Sequence, residues 1–232
     1  MQKIIKNLFF IGIFVCILSI FLILGTYLAM KPNLPQIKYV DESELQMPLK
    51  VYTKDGVLIG EFGEIKRRAT SFNDIPENIK NAFLSAEDDN FFNHQGISYS
   101  GLIRSFVRCL RPSGCQGGGG TITMQVVRGY LLTPEQTIVR KIKEIFLALE
   151  LESNIDKEEI FELYVNRIFL GNRSYGIEAA ANTYFNKNLS DLTLSESATI
   201  AAIAQLPSRI NPVKNPRRTL QRRDWILSRM YL

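Results

Sequence analysis

An uncharged run from Asn7 to Met30, bounded by Lys6 and Lys31 and rich in Ile, Leu, Phe and Val, constrains this chain more than any other feature. As a helix it would reach about 36 Å, more than the roughly 30 Å hydrocarbon core of a bilayer. A cleavable signal has a shorter apolar core and small residues before the cut, whereas cleavage after Ala29 would leave Tyr27 at the −3 position. The sequence therefore predicts an uncleaved transmembrane anchor over 7–30. Lys3 and Lys6 stand on one side, while Lys31 and Lys38 on the other are soon offset by Asp41, Glu42 and Glu44. That balance favours a cytoplasmic N-terminus over 1–6, with everything beyond residue 31 facing outward.

The 232 residues, 46% apolar and 22% charged, leave enough material for a folded domain and exclude a disordered chain or a disulfide-stapled miniprotein. Three cysteines and a single histidine do not supply an ordinary Cys/His zinc site. The net charge of +5 favours anionic partners, and on charge alone acidic lipid, pyrophosphate and nucleic acid all stay open. Pro32, Pro35 and Pro48 mark 31–48 as a linker, so the domain is expected over 49–232. Val51-Tyr52-Thr53 and Val57-Leu58-Ile59 around Lys54-Asp55-Gly56 predict a β-hairpin. Beyond it, helices are expected over 77–86, 99–110, 135–152, 157–170 and 194–205, with Gly171 capping the fourth.

Three stretches carry candidate chemistry. Glu87-Asp88-Asp89 ends a predicted helix, where carboxylates oppose the macrodipole, and leads through Phe91 to the lone His94 and Gly96. It reads either as an acidic turn with aromatic anchors or as an acid/base site, because crowded carboxylates raise one another's pKa. Gly117 to Gly120 precede Thr121-Ile122-Thr123-Met124-Gln125, a glycine-rich approach to a polar segment that matches neither a P-loop nor a dinucleotide fingerprint. Cys109 and Cys115 stand just before it and could pair outside the cytoplasm. In the longest predicted helix, Ile138, Ile142, Ile145 and Leu149 recur as a core stripe, leaving Arg140, Lys141 and Glu144 together on another face. That trio is either a surface ion-pair cluster or a phosphate site with a carboxylate able to handle a proton or a metal.

In order and spacing these stretches resemble glycosyltransferase family 51, the peptidoglycan glycosyltransferases of class A penicillin-binding proteins and their monofunctional relatives. Glu87-Asp88 through Phe91, His94 and Gly96 resembles the E-D-x-x-F-x-x-H-x-G block, Gly119 to Gln125 the G-x-S-T-I-T-Q-Q block, and Arg140 to Glu144 the R-K-x-x-E block. Glu162-Leu163-Tyr164-Val165-Asn166 with Gly171 and Tyr175-Gly176-Ile177 resembles a fourth block, and Leu194 to Pro212 a fifth. The resemblance implies a mainly α, lysozyme-like glycosyltransferase domain with a small membrane-facing lobe, a short N-terminal β-hairpin and one transmembrane helix. Ile97 to Leu110, apolar with Arg104 and Arg108, suits the lobe that meets lipid.

The activity implied is polymerisation of lipid II into β-1,4-linked glycan strands, with inversion and release of undecaprenyl pyrophosphate. Glu87 would be the general base and Glu144 the second catalytic carboxylate. Arg128, Arg140 and Lys141 would neutralise the pyrophosphate, and Asp88, Phe91, His94, Thr121, Gln125 and Asn166 would complete the substrate site. A divalent cation, Mg²⁺ or Mn²⁺, is expected at most on Glu144, with no organic cofactor. The partners implied are lipid II, the growing strand, membrane lipids and other cell-wall synthesis or division proteins, not nucleic acid, at the cytoplasmic membrane with the domain outside. Moenomycin-type inhibitors would occupy the donor side. Gly120 stands where the family usually has Ser, Met124 where it has Gln, Arg128 where Lys is common, Gly129 where Asn is common and Ala204 where Pro is usual. Gly120 and Met124 motivate an alternative, an impaired lipid II-binding or division scaffold; a lysozyme-like hydrolase is disfavoured because it has no pyrophosphate to neutralise. No transpeptidase motif set occurs, which leaves open a monofunctional enzyme or part of a bifunctional one.

Overall fold

The structure, a computed structural model, describes residues 2–35, 37, 49–56, 58–62, 70–109, 120–133, 135 and 137–231. Cys115, Gly117 to Gly119 and most of the expected linker lie outside the described residues, and with Cys115 the disulfide reading. The described chain is mainly helical. Helix α1 (Gln2–Met30) covers the whole apolar run. Some of its side chains are not described, and over the described residues no helix is long and apolar enough to cross a membrane. β1 (Leu49–Tyr52) and β2 (Leu58–Phe62) pair antiparallel around Asp55-Gly56, with a register shift between Val51 and Tyr52.

The helical body follows as α2 (Glu77–Glu87), α3 (Tyr99–Cys109), α4 (Ile122–Tyr130), α5 (Ile138–Asn154), α6 (Lys157–Arg167), α7 (Ile177–Phe185), α8 (Leu194–Ala204) and α9 (Pro216–Tyr231). α8 packs between α2 and α9, and α4 between α5 and α6. Each helix buries what its period brings to one face: Ile79, Ala82 and Phe83 on α2, Ile160, Phe161 and Tyr164 on α6, and Ser197, Ala198, Ile200 and Ala201 on α8. Small residues on α7 and α8 let backbones approach. Thr193 and Glu196 form a capping box that starts α8.

Two expectations are corrected. The core stripe of α5 is not Ile138, Ile142, Ile145 and Leu149: Ile138 is 82% exposed and Leu149 is exposed, while Glu144, Leu147, Ala148 and Leu151 are buried. The helix is rotated because α4 packs against its buried face, leaving Ile138 and Leu149 outward and Ile142 and Ile145 only partly covered, while the Tyr27 ring of α1 meets Phe146 at 5.1 Å. Gly171 does not cap α6, which ends at Arg167; its φ of 77° serves a turn through Asn172 and Arg173 that closes the Phe169–Tyr175 bridge. At the start of the expected linker, Lys31–Asn33 form a short 3-10 turn, and Leu34 and Ile37 pack against the core.

Candidate active site

The site is built where α2 stops. Glu87 is the last residue of α2, and Asp88 leaves helical geometry at φ −160°. Asp88 turns its carboxylate toward the next layer, where Oδ2 accepts from His94 Nε2 at 2.9 Å and from the Ile122 amide at 3.1 Å. An anion at the start of α4 answers both the unpaired amides and the helix dipole there. Thr121 caps the same end: its Oγ1 accepts from the Met124 amide at 3.2 Å and donates to Gly96 O at 2.6 Å. One turn on, Gln125 Nε2 donates to Glu87 Oε2 at 2.8 Å. The block around Glu87 and the block around Gln125 thus meet through two adjacent carboxylates, Asp88 on the Ile122 amide and Glu87 on the Gln125 side chain.

Gly96 makes that meeting feasible. It has φ 79°, and a Cβ there would lie 2.7 Å from the Ala148 carbonyl oxygen. Gly96→Ala is therefore expected to lower stability by roughly 3 kcal/mol, left-handed strain and overpacking together. Thermal melting of the variant checks this; an unchanged midpoint would contradict it.

Glu87 faces a cleft of about 380 Å³ whose walls include Asp89, Ser98, Arg104, Gly120 and Arg229. Burial pushes its pKa above the ordinary glutamate value; the Gln125 hydrogen bond and the charges of Arg222 and Arg128 pull it back, and Asp88 adds to the rise. Behind it the Tyr164 phenol is buried, and its hydroxyl has no hydrogen-bond partner among the described residues. Burial first, and then the charge of Glu87, push that phenol well above its usual value.

Gly120 joins this cleft to the second cluster. A Cβ on Gly120 would be 3.8 Å from Lys141 Nζ, so the ammonium stands at the cleft margin and the position has room for a side chain. Glu144 is 1% exposed; Lys141 Nζ donates to its Oε2 at 3.0 Å and Arg140 Nη1 to its Oε1. The trio is a buried support presenting cations, not a solvated surface network. Both Glu144 oxygens are already engaged, and among the described residues no group of three or more His, Cys, Asp or Glu gathers to hold a metal ion. At Glu144 the two cations thus occupy the oxygens that a divalent ion would use.

Other sequence candidates fall elsewhere. Phe91 is 1% exposed and packs edge-on against Phe92 and His94, with Lys157 Nζ 4.4 Å from its ring centre, so it anchors the Glu87 turn rather than touching a substrate. Asn166 is buried, accepting from the Thr70 amide and donating to the Thr70 carbonyl, each at 2.9 Å; it ties down the approach to α2. The Met124 side chain belongs to the core, so the departure there removes nothing from the cleft. Arg128 is exposed on a neighbouring hollow shared with Gln125, Tyr164 and Arg167.

Sequence reasoning missed Arg222, Arg229 and the placement of Tyr164. α9 carried a usable signal, since Arg222, Trp225 and Arg229 recur at helical spacing around the chain's single tryptophan.

A sequence profile of the transglycosylase family matches residues 55–231. The chain belongs to the transglycosylase family. That is the family, glycosyltransferase family 51, which the motif blocks resemble. It is similar to penicillin-binding protein 1A of Pseudomonas aeruginosa, 52% identical over 206 residues, covering 89% of this chain and 25% of that one. The Escherichia coli protein of the same name is 39% identical over 229 residues, 99% of this chain and 27% of that one. A crystal structure of penicillin-binding protein 1A from Haemophilus influenzae matches at 34% identity over 81% of this chain and 18% of that one, with a TM-score of 0.44. The chain spans about a quarter of the length of the curated relatives it matches.

Proposed function

We propose that this transglycosylase-family chain polymerises lipid II into β-1,4-linked glycan strands, with inversion at the anomeric carbon and release of undecaprenyl pyrophosphate, as part of bacterial cell-wall synthesis. The observation that carries the reading is one cleft with a half-buried carboxylate of raised pKa, Glu87, on one wall and Gly120, next to the Lys141 ammonium, on another. Glu87 takes the proton from the 4-hydroxyl of the acceptor N-acetylglucosamine as that oxygen attacks C1 of the donor N-acetylmuramic acid. Gln125 orients the attacking face of the carboxylate, and Lys141, Arg140 and Arg128 balance the charge that grows on the leaving pyrophosphate. Glu144 fixes Arg140 and Lys141 from behind. A Mg²⁺ or Mn²⁺ ion enters this proposal only as a counter-ion of the pyrophosphate, since Glu144 is already paired. No organic cofactor is required.

The proposal places α1 in the cytoplasmic membrane with the N-terminus inside and the domain outside. α1 supports it by exposing Phe14, Phe21 and Leu22 around a helix without a polar face. Tyr99, Ile103 and Val107 on α3 and Ile138 and Val139 on α5 are exposed apolar residues suited to lipid contact. The partners proposed are lipid II, the growing strand, membrane lipids and other cell-wall synthesis or division proteins. The test is incubation of the detergent-solubilised chain with labelled lipid II, with and without moenomycin, products being resolved by size. A moenomycin-sensitive ladder of strands is expected; binding of lipid II without any polymer would overturn the enzymatic reading in favour of a scaffold.

A further inference from the structure

The C-terminal helix is packed directly against the base. Arg222 Nη2 donates to the Ala86 carbonyl at 3.2 Å, the peptide just before Glu87. Two residues after Glu87, Asp89 Oδ2 accepts from Arg229 Nη2 at 2.6 Å. Between the two arginines lies Trp225, with the Arg222 guanidinium 3.9 Å and that of Arg229 4.9 Å from its ring centre. These three residues sit at i, i+3 and i+7 on α9, one face of one helix, and they grip the Glu87 segment from both sides. The Ala86 carbonyl is among the last of α2, which has no helical partner of its own, so a cation there satisfies both the hydrogen bond and the dipole.

We propose that Arg222 is a positioning residue for the base: through the Ala86 carbonyl it fixes the Glu87 segment and sets a cation beside it, with Trp225 stacked on Arg222 and Arg229 tying the far side of the segment through Asp89. This rests on the reading of Glu87 as the general base. The groups facing Glu87 are Gln125 and Arg128 from α4, Tyr164 from α6, Asp88 from its own turn and Arg222 from α9. Of the two cations, Arg128 is exposed and screened by solvent, whereas Arg222 is half-buried and acts through less water. Its Nε is buried with no hydrogen-bond partner among the described residues, so the guanidinium is held by stacking and by the Ala86 bond.

The test compares the full chain with Arg222→Met, which keeps an apolar stem over Trp225, and Arg222→Lys, which keeps the charge. The readouts are the pH dependence of lipid II polymerisation and the titration of the Glu87 side-chain carboxyl by ¹³C NMR, its signal identified by its loss in Glu87→Gln. In Arg222→Met the acid limb of the rate and the NMR midpoint are both expected to move up together, so the rate on the acid limb falls while KM for lipid II is unchanged. Arg222→Lys is expected to recover most of the shift but not the geometry of the stack. An NMR midpoint that stays in place in Arg222→Met, with a rate lowered by one factor at every pH, would overturn the proposal and leave Arg222 a purely structural residue. The NMR arm decides this whether or not the chain turns over lipid II, so failure of the polymerase reading is separately visible in the wild-type assay.

Discussion

Glu87→Gln is expected to lower lipid II polymerisation by about 10²–10⁴-fold, the usual contribution of a general base, while leaving lipid II binding intact and the melting temperature at or above that of the wild type. The first half follows from replacing a proton acceptor by an amide of the same shape. The second half follows from burial. Folding raises the pKa of Glu87, so the group favours the folded state when protonated; its contribution is fully present below the unfolded pKa and is lost as pH rises through the folded one. Where it is ionised, the carboxylate is therefore a burden on the fold that the amide lifts. A variant that is inactive and also markedly less stable would contradict this, since it would make Glu87 a structural anchor. Retained turnover would remove it from the role of base.

Glu144→Ala is expected to act the opposite way. Glu144 is 1% exposed and engages Arg140 and Lys141, whose side chains are 17% and 37% exposed. Removing the carboxylate leaves two cations facing each other beside a buried void. Breaking a buried pair in this way costs about 3–5 kcal/mol, and the partial exposure of Lys141 puts the expectation near the lower end, roughly 3 kcal/mol. Polymerisation should fall as well, because cations that repel without their shared carboxylate no longer converge on the pyrophosphate. The decisive comparison is Glu144→Gln, which keeps a hydrogen-bond acceptor and should lose less stability than the alanine variant. Equal melting of all three proteins would show that the cluster is solvated and does not support the site.

The motif residues Glu87, Asp88, His94, Thr121 and Gln125 were legible through the family resemblance; from the residues alone the acidic turn and the glycine-rich approach stayed open between structural and chemical readings. The direction of α5 was not legible. Ile138, Ile142, Ile145 and Leu149 form as good an apolar stripe as Leu147, Ala148 and Leu151 do, and hydrophobic period alone ranks the isoleucines first. What decides is tertiary: α4 covers the side that carries Glu144, and α1 approaches the other. Three helices were also hidden in sequence. α4 is short and starts beside glycines, α7 is alanine-rich between two positive-φ residues, Gly176 and Asn186, and α9 is so basic that its buried face reduces to Thr219 and Ile226. Their stability comes from packing more than from propensity. Phe91 and Asn166 illustrate the complementary limit, since a family pattern does not separate residues that touch a substrate from those that hold the ones that do.

The central claim, that a carboxylate raised by burial runs a glycosyl transfer in this cleft, is tested most directly by the rate of lipid II polymerisation as a function of pH in the wild-type chain and in Glu87→Gln. The account predicts that the wild-type rate falls as pH drops through a value above the ordinary glutamate range, and that this limb is missing from the residual activity of the variant. A rate that stays level down to the ordinary glutamate range, or a limb that persists unchanged without Glu87, would contradict it.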